Sequence, residues 1–221
     1  MLRTCAACAV ALVWLAGARP AAGEDFTLGV AGGYGAARGL SAEATGAAPA
    51  NATSAKAGVR NSVAAGFFLR DDMYANVSGE FRYLYRWGAH KVRNDSNSAR
   101  LGAHSHLFHY DLLFHTRPAT DGMRPYIAVG AGGRIYQGTG APPRTQPLSN
   151  LALLRKASET RPMISLGGGL RWAWRENMVL QFDVRDYLTP APRKVFAPSS
   201  TSTVSGWLHD FIPQVSVGVK F

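Results

Sequence analysis

Between residues 73 and 87 apolar and polar side chains alternate almost without a break. One parity reads Ala75, Val77, Gly79, Phe81, Tyr83, Tyr85, Trp87; the other reads Tyr74, Asn76, Ser78, Glu80, Arg82, Leu84, Arg86. Successive side chains of a β-strand point to opposite faces, so this pattern predicts a strand with one apolar and one polar face. Seven further segments carry the same period: residues 26–34, 59–69, 101–115, 124–136, 163–174, 178–187 and 207–221. Their apolar stripes include Val63, Phe67 and Leu69; Phe108, Tyr110 and Leu112; Ile127 and Val129; Leu180, Phe182 and Val184.

Eight strands joined by alternating short and long connections predict an all-β, eight-stranded antiparallel up-and-down barrel. The short turns fall around Arg70, Asp71 and Asp72, at residues 117–123, and around Arg175, Glu176 and Asn177. The connections after strands one, three, five and seven are long and rich in Gly, Ala, Ser, Thr, Asn and Pro. Short periplasmic turns, long extracellular loops and an even strand number are the habit of transmembrane barrels. Pro213 sits inside the last strand, where it removes a ladder donor, so a bulge or the outer limit of regular pairing is expected there.

The same strand count fits a soluble lipocalin-like barrel, whose apolar face would point inward. Two features favour the inverted arrangement. Aromatic residues on the apolar parity gather near strand ends, at Tyr85, Trp87, Trp172, Trp174, Trp207 and Phe221, like the girdles of a membrane barrel. The polar parity carries Gly130, Gly132, Gly167, Gly169 and Gly218, which would leave room in a narrow interior for Arg82, Arg86, Arg134, Arg171 and Arg185. Lipid offers the backbone no hydrogen bonds, so a membrane sheet must close on itself.

The N-terminus changes the setting. Arg3, the apolar run from Cys5 to Ala18 and the small residues Ala21, Ala22 and Gly23 predict a secretory signal peptide over residues 1–23, leaving a barrel domain over 24–221. Cleavage would remove Cys5 and Cys8, so no disulfide is expected in the mature chain. The formal net charge is +10. For an exported chain the natural counter-charge is the phosphorylated glycolipid of the outer leaflet, not nucleic acid.

On the last segment Val215, Val217, Val219 and the terminal Phe221 share one parity. With the strand pattern of nearly the whole mature chain, this ending resembles the small OmpA/OmpX-like outer-membrane β-barrels. The resemblance implies that Phe221 belongs to a signal read by the barrel-assembly machinery. The chain ends at Phe221, so the peptidoglycan-binding domain of full-length OmpA is not expected.

Candidate chemistry is sparse. His104 and His106 share a face opposite His109, with no carboxylate or cysteine set to complete a metal site. Ser105 points away from both neighbouring histidines, so His104, Ser105 and His106 do not make a hydrolytic dyad. Asn51, Ala52 and Thr53 match a glycosylation sequon, which in a bacterial loop carries no weight. The glycine runs at 130–133 and 167–169 lack the lysine and helix of a phosphate-binding loop. No catalytic residue, cofactor or metal is expected.

The polar parity carries the main expectation. Glu80, Arg82, Arg86, Asp111, Arg134, Arg171, Asp183 and Arg185 should point into the barrel and form a charge network that plugs it. The basic residues His90, Lys91 and Arg93, Arg155, Lys156 and Arg161, and Arg193 and Lys194 fall near outer strand ends and suit glycolipid phosphates. The reading is a structural or interaction barrel of the bacterial outer membrane. Its partners would be membrane lipid, glycolipid and the assembly machinery. A lipid A-modifying enzyme and a narrow pore or small-molecule transporter are the alternatives.

Overall fold

Strands this rich in alternating residues need a closed partner ladder, and the computed structural model shows one. It describes residues 26–44, 54–94, 97–118, 122–141, 146 and 148–221. The signal segment, with Cys5 and Cys8, and the Asn51 sequon lie outside the described residues. In chain order the strands are β1 (Phe26–Arg38), β2 (Leu40–Ala44), β3 (Ser54–Val59), β4 (Ser62–Tyr74), β5 (Val77–Arg93), β6 (Ser98–His115), β7 (Met123–Gly138), β8 (Ala152–Leu154), β9 (Ser158–Arg175), β10 (Met178–Pro190), β11 (Phe196–Pro198), β12 (Ser202–Ser205) and β13 (Trp207–Lys220).

Eight of them make the wall, in the order β1, β4, β5, β6, β7, β9, β10, β13, every neighbour antiparallel. β1 closes the circle by pairing with β4 on one side and β13 on the other. The seam is fastened at its lower end by backbone hydrogen bonds, from Phe26 N to Phe221 O at 3.2 Å and from Phe221 N to Phe26 O at 3.0 Å.

Burial decides which face is outside. Val30, Phe67, Ile127, Val184 and Val215 are between 45% and 66% exposed, whereas Glu80, Arg82, Arg134 and Arg185 are fully buried. A soluble barrel would hide the first set and show the second; only a wall facing hydrocarbon inverts them. Trp172 and Trp174 lie exposed at the end with short turns, and Trp87 and Trp207 at the other.

Three expectations need correction. The second strand does not turn at Arg70, Asp71 and Asp72. β4 runs on to Tyr74, and the turn falls at Ala75 and Asn76. A run of charges resembles a turn in a soluble protein, but here alternate charges point into a polar interior. Pro213 causes neither a bulge nor the end of pairing: β13 keeps one register with β1 from Lys220 to His209, but the ladder lapses at Pro213 and Ile212, opposite Tyr34 and Gly35, where the proline offers no donor. Its pairing with Val184 on the other side is regular.

The long connections are also more than loops. β12, β2 and β3 continue the wall above the membrane, in the order β12-β2-β3-β5, and β8 pairs with β11 as a separate ribbon. Between them lies an apolar core that includes Leu40, Val59, Leu101, Leu151, Phe196 and Leu208. It sits across the outer mouth of the barrel.

Candidate functional site: the barrel lumen and its mouth

Within the wall, inward side chains arrange themselves by height. Nearest the short turns, Asp72 accepts from Arg171 Nη1 at 2.8 and 2.9 Å and from Ser78 Oγ at 2.6 Å, with Arg124 Nη1 at 3.7 Å. Above this is the main cluster, centred on Glu80. Its carboxylate meets Arg82 Nη2 and Arg185 Nη2, each at 2.8 Å, and also Arg70. Asp183 lies 3.1 Å from Arg185 Nε and 3.5 Å from Arg82 Nη1. Asp111 pairs with Arg185 and accepts from Ser165 Oγ at 3.2 Å, with His109 Nδ1 at 2.9 Å. Gln214 Oε1 accepts from Arg82 at 2.7 Å, and Gln181 donates to Tyr126 Oη at 2.5 Å and to Asp183 at 2.9 Å.

A collar of Leu84, Leu107, Met163, Tyr187 and Ile212 comes next, all buried. Beyond the collar Asp210 holds Arg86 Nη1 at 2.6 Å and Arg134 Nη1 at 2.8 Å. Arg134 also donates to Ser105 Oγ and lies over the Tyr136 ring, 4.6 Å from its centroid. The apolar core of the loops closes the top.

The structure therefore places all eight of the residues named from the sequence in the interior, in three groups. Glu80, Arg82, Asp111, Asp183 and Arg185 meet one another; Arg86 and Arg134 share Asp210; Arg171 stands apart on Asp72. Sequence reasoning missed Arg70, Asp72, Arg124, Asp210, Gln181 and Gln214. Their signal was parity alone. Extending the outward stripe of Val63, Phe67 and Leu69 by one strand turn would have put Arg70 and Asp72 inside.

Small residues make the clusters possible. Gly130, Gly167 and Gly169 stand directly across the ladder from Asp111, Arg185 and Asp183. A Cβ at Gly169 would press on the Asp183 side chain, and one at Gly167 on the Arg185 stem. Of the arginines expected to need such room, only Arg185 and Arg86 have a glycine against them, the latter at Gly35. Arg82 faces Phe68 and His109, and Arg134 faces Leu107 and Arg161.

The histidines do not converge. His104 and His106 lie on the outer surface, His104 stacked on Tyr85 and His106 bonded to Tyr83 Oη at 2.8 Å. Among the described residues no group of three or more His, Cys, Asp or Glu could hold a metal ion. Ser78 Oγ lies 2.9 Å from His115 Nε2, but Asp72 binds the serine and does not orient the histidine, whose Nδ1 has no hydrogen-bond partner among the described residues. The chain of orientation that activates a nucleophile is thus reversed.

No protein-family model matches the chain, and no curated protein matches it in sequence. Solved structures do resemble it. Outer membrane protein OprG from Pseudomonas aeruginosa matches with a TM-score of 0.52 and 13% identity over 89% of this chain and 95% of that one. The N-terminal β-barrel domain of OprF from the same organism matches with a TM-score of 0.43 and 13% identity over 90% and 97%. The outer membrane protease OmpT from Escherichia coli gives 0.49 and 8% over 93% and 99%. The chain has the fold of the bacterial outer-membrane β-barrels. Its fold is that of the small OmpA/OmpX-like barrels. At such low identity these likenesses assign the barrel a fold and no activity.

Proposed function

We propose that this barrel is a plugged structural or interaction protein of the outer membrane, neither a pore nor a catalyst. The observation that carries the reading is the sequence of layers along the axis. Two buried ion-pair clusters, around Glu80 and Asp210, are separated by the apolar collar of Leu84, Leu107 and Ile212. An eight-stranded interior has room for little beyond its own side chains. Extracellular strands β2, β3 and β12 then present a folded surface outside the membrane. The hydrogen bonding of Phe221 to Phe26 at the barrel seam supports the reading that the assembly machinery recognises this end of the last strand. Outer-leaflet lipid and glycolipid are the partners the basic outer surface suits.

Planar-bilayer recording of the purified barrel tests this reading. No stable conductance, or only brief small steps, is the expected result. Large, stable, porin-like currents from the wild-type chain would overturn it.

A further inference from the structure

The wall is not hydrogen-bonded over its whole height. β1 pairs with β4 as far as Gly35 and Ser62, and pairing resumes only where β2 meets β3, at Leu40 and Ala57. In between lies Gly39, whose φ of 107° is in the left-handed region that favours glycine. The opposing segment, Gly58 to Asn61, crosses from β3 to β4. The two edges stand apart and leave a cleft of about 910 Å³ in the side of the molecule. From within, buried Arg86 seals its floor by donating to the carbonyl oxygens of Gly35, at 3.0 Å, and Arg60, at 3.2 Å.

The cleft is lined by Arg38, Lys56, Arg60, Lys91 and Arg93, and among the described residues no acidic residue lines it. Among the described residues none of these five forms an ion pair, and Glu43 on neighbouring β2 pairs with none of them. The ladder makes matters worse for stability. Lys56 stands directly across from Arg93, and Lys91 directly across from Arg100. Like charges in directly opposed positions destabilise a sheet. A surface that concentrates cations against that cost, around a concavity, fits an anion that neutralises them. Arginine beside lysine provides bidentate donors and point charges suited to phosphate oxygens.

Height identifies the source of the anion. The cleft begins at outward-facing Tyr34, 54% exposed, and Trp87 stands exposed on nearby β5, so its floor lies at the aromatic belt. Its upper edge reaches Arg93, beyond the belt. A ligand with its phosphate at headgroup depth and its acyl chains along the wall would span this height.

We propose that the cleft between β1–β2 and β3–β4 is a binding site for the phosphorylated headgroup of an outer-leaflet glycolipid. The proposal rests on the reading that glycolipid is a partner of this barrel and names the place where it is held. It also replaces part of the sequence-based set of basic residues. His90 is buried and faces the inner core, and Arg161 is already paired with Glu159 at 2.6 Å.

The site can be blocked without removing a charge. Gly58 faces open space, with no atom within 4 Å of the position a Cβ would take. Gly58→Phe would therefore fill the cleft, while Lys56→Gln with Lys91→Gln and Arg93→Gln would remove three of its five cations. The full chain in detergent micelles is titrated with bis-phosphorylated lipid A and, separately, with its dephosphorylated form and with inorganic pyrophosphate. Folding of each variant is checked by heat-modifiable gel mobility. Both variants should weaken binding of the phosphorylated lipid by more than about tenfold, the scale of losing charge-assisted contacts. A control pair at the opposite, short-turn end of the barrel, Arg117→Gln with Arg175→Gln, should not.

If the wild type binds the lipid and Gly58→Phe binds it equally well, the cleft is not the site, although the partner reading stands. If the wild type binds no lipid at all, the partner reading fails with it. Equal binding of the dephosphorylated form removes the phosphate assignment, and full competition by pyrophosphate removes the lipid one. Both of those results come from the wild-type protein, so they hold even if a variant does not fold.

Discussion

Asp210 Oδ2 lies 2.6 Å from Arg86 Nη1, as an ion pair, and accepts from Arg134 Nη1 at 2.8 Å. One carboxylate thus serves two buried guanidinium groups and, through Arg86, the carbonyls exposed where the wall opens. Asp210→Asn keeps the shape and removes the charge. It should destabilise the barrel by about 3–5 kcal/mol, the cost of leaving buried charge uncompensated. Reversible urea unfolding in micelles, followed by tryptophan fluorescence, measures it. A loss below about 1 kcal/mol would mean that solvent reaches the two arginines.

Glu80 is the corresponding hub of the lower cluster, touching Arg70, Arg82 and Arg185. Glu80→Ala should cost a similar amount, about 3–5 kcal/mol. Because the apolar collar separates the two hubs, the double variant with Asp210→Asn should show nearly additive losses. Strong non-additivity would show that the two clusters share one charge balance.

The outer core should melt on its own. Phe196 of β11 is fully buried among Leu154, His90 and the loop residues around them. Phe196→Ala removes a large core side chain, a change worth about 3–5 kcal/mol. The effect should be local. Protease should cut the extracellular segments of the variant while its heat-modifiable mobility, a sign of the closed barrel, stays that of the wild type. Loss of both together would mean that the mouth and the wall fold as one unit.

Deleting Phe221 should lower the amount of barrel integrated in the outer membrane without reducing export. The residue both ends the chain and closes the β1–β13 seam through two backbone bonds to Phe26. Substituting Phe221→Ala keeps those bonds and removes the ring. If the substitution matches the deletion, the ring is what matters; if only the deletion is impaired, the seam is. Unchanged integration in both would remove the assembly role.

Much of the wall was legible in the alternation, because a lipid face and a charged lumen make each strand two-faced. Parity alone sets Phe81, Tyr83 and Tyr85 apart from Glu80, Arg82 and Arg86. The same logic failed at Arg70 and Asp72, where consecutive polar residues carry the signal of a turn and only the neighbouring strand shows that the ladder continues. β2 and β3 were missed for a different reason. Their inward residues, Ala42, Ala55 and Ala57, are small, so the segment has little hydrophobic contrast and looks like a loop. The anion cleft was invisible for a stronger reason still. It is produced by a lapse in pairing between segments far apart in sequence, Gly35 to Leu40 and Ala57 to Ser62, and no local pattern encodes a lapse.

The core over the mouth also bears on how much sequence change this surface can tolerate. Exposed loops of outer-membrane proteins ordinarily vary freely, since they carry little of the packing. Here Leu40, Leu101, Leu151, Phe196 and Leu208 come from four different connections and their flanking strand ends and touch one interior. A change of size in any one of them must be matched in the others. Substitution should therefore be tolerated mainly at outward-facing positions such as Thr201 and Thr203, and the surface that the connections build together should be lost when any single one is cut or swapped.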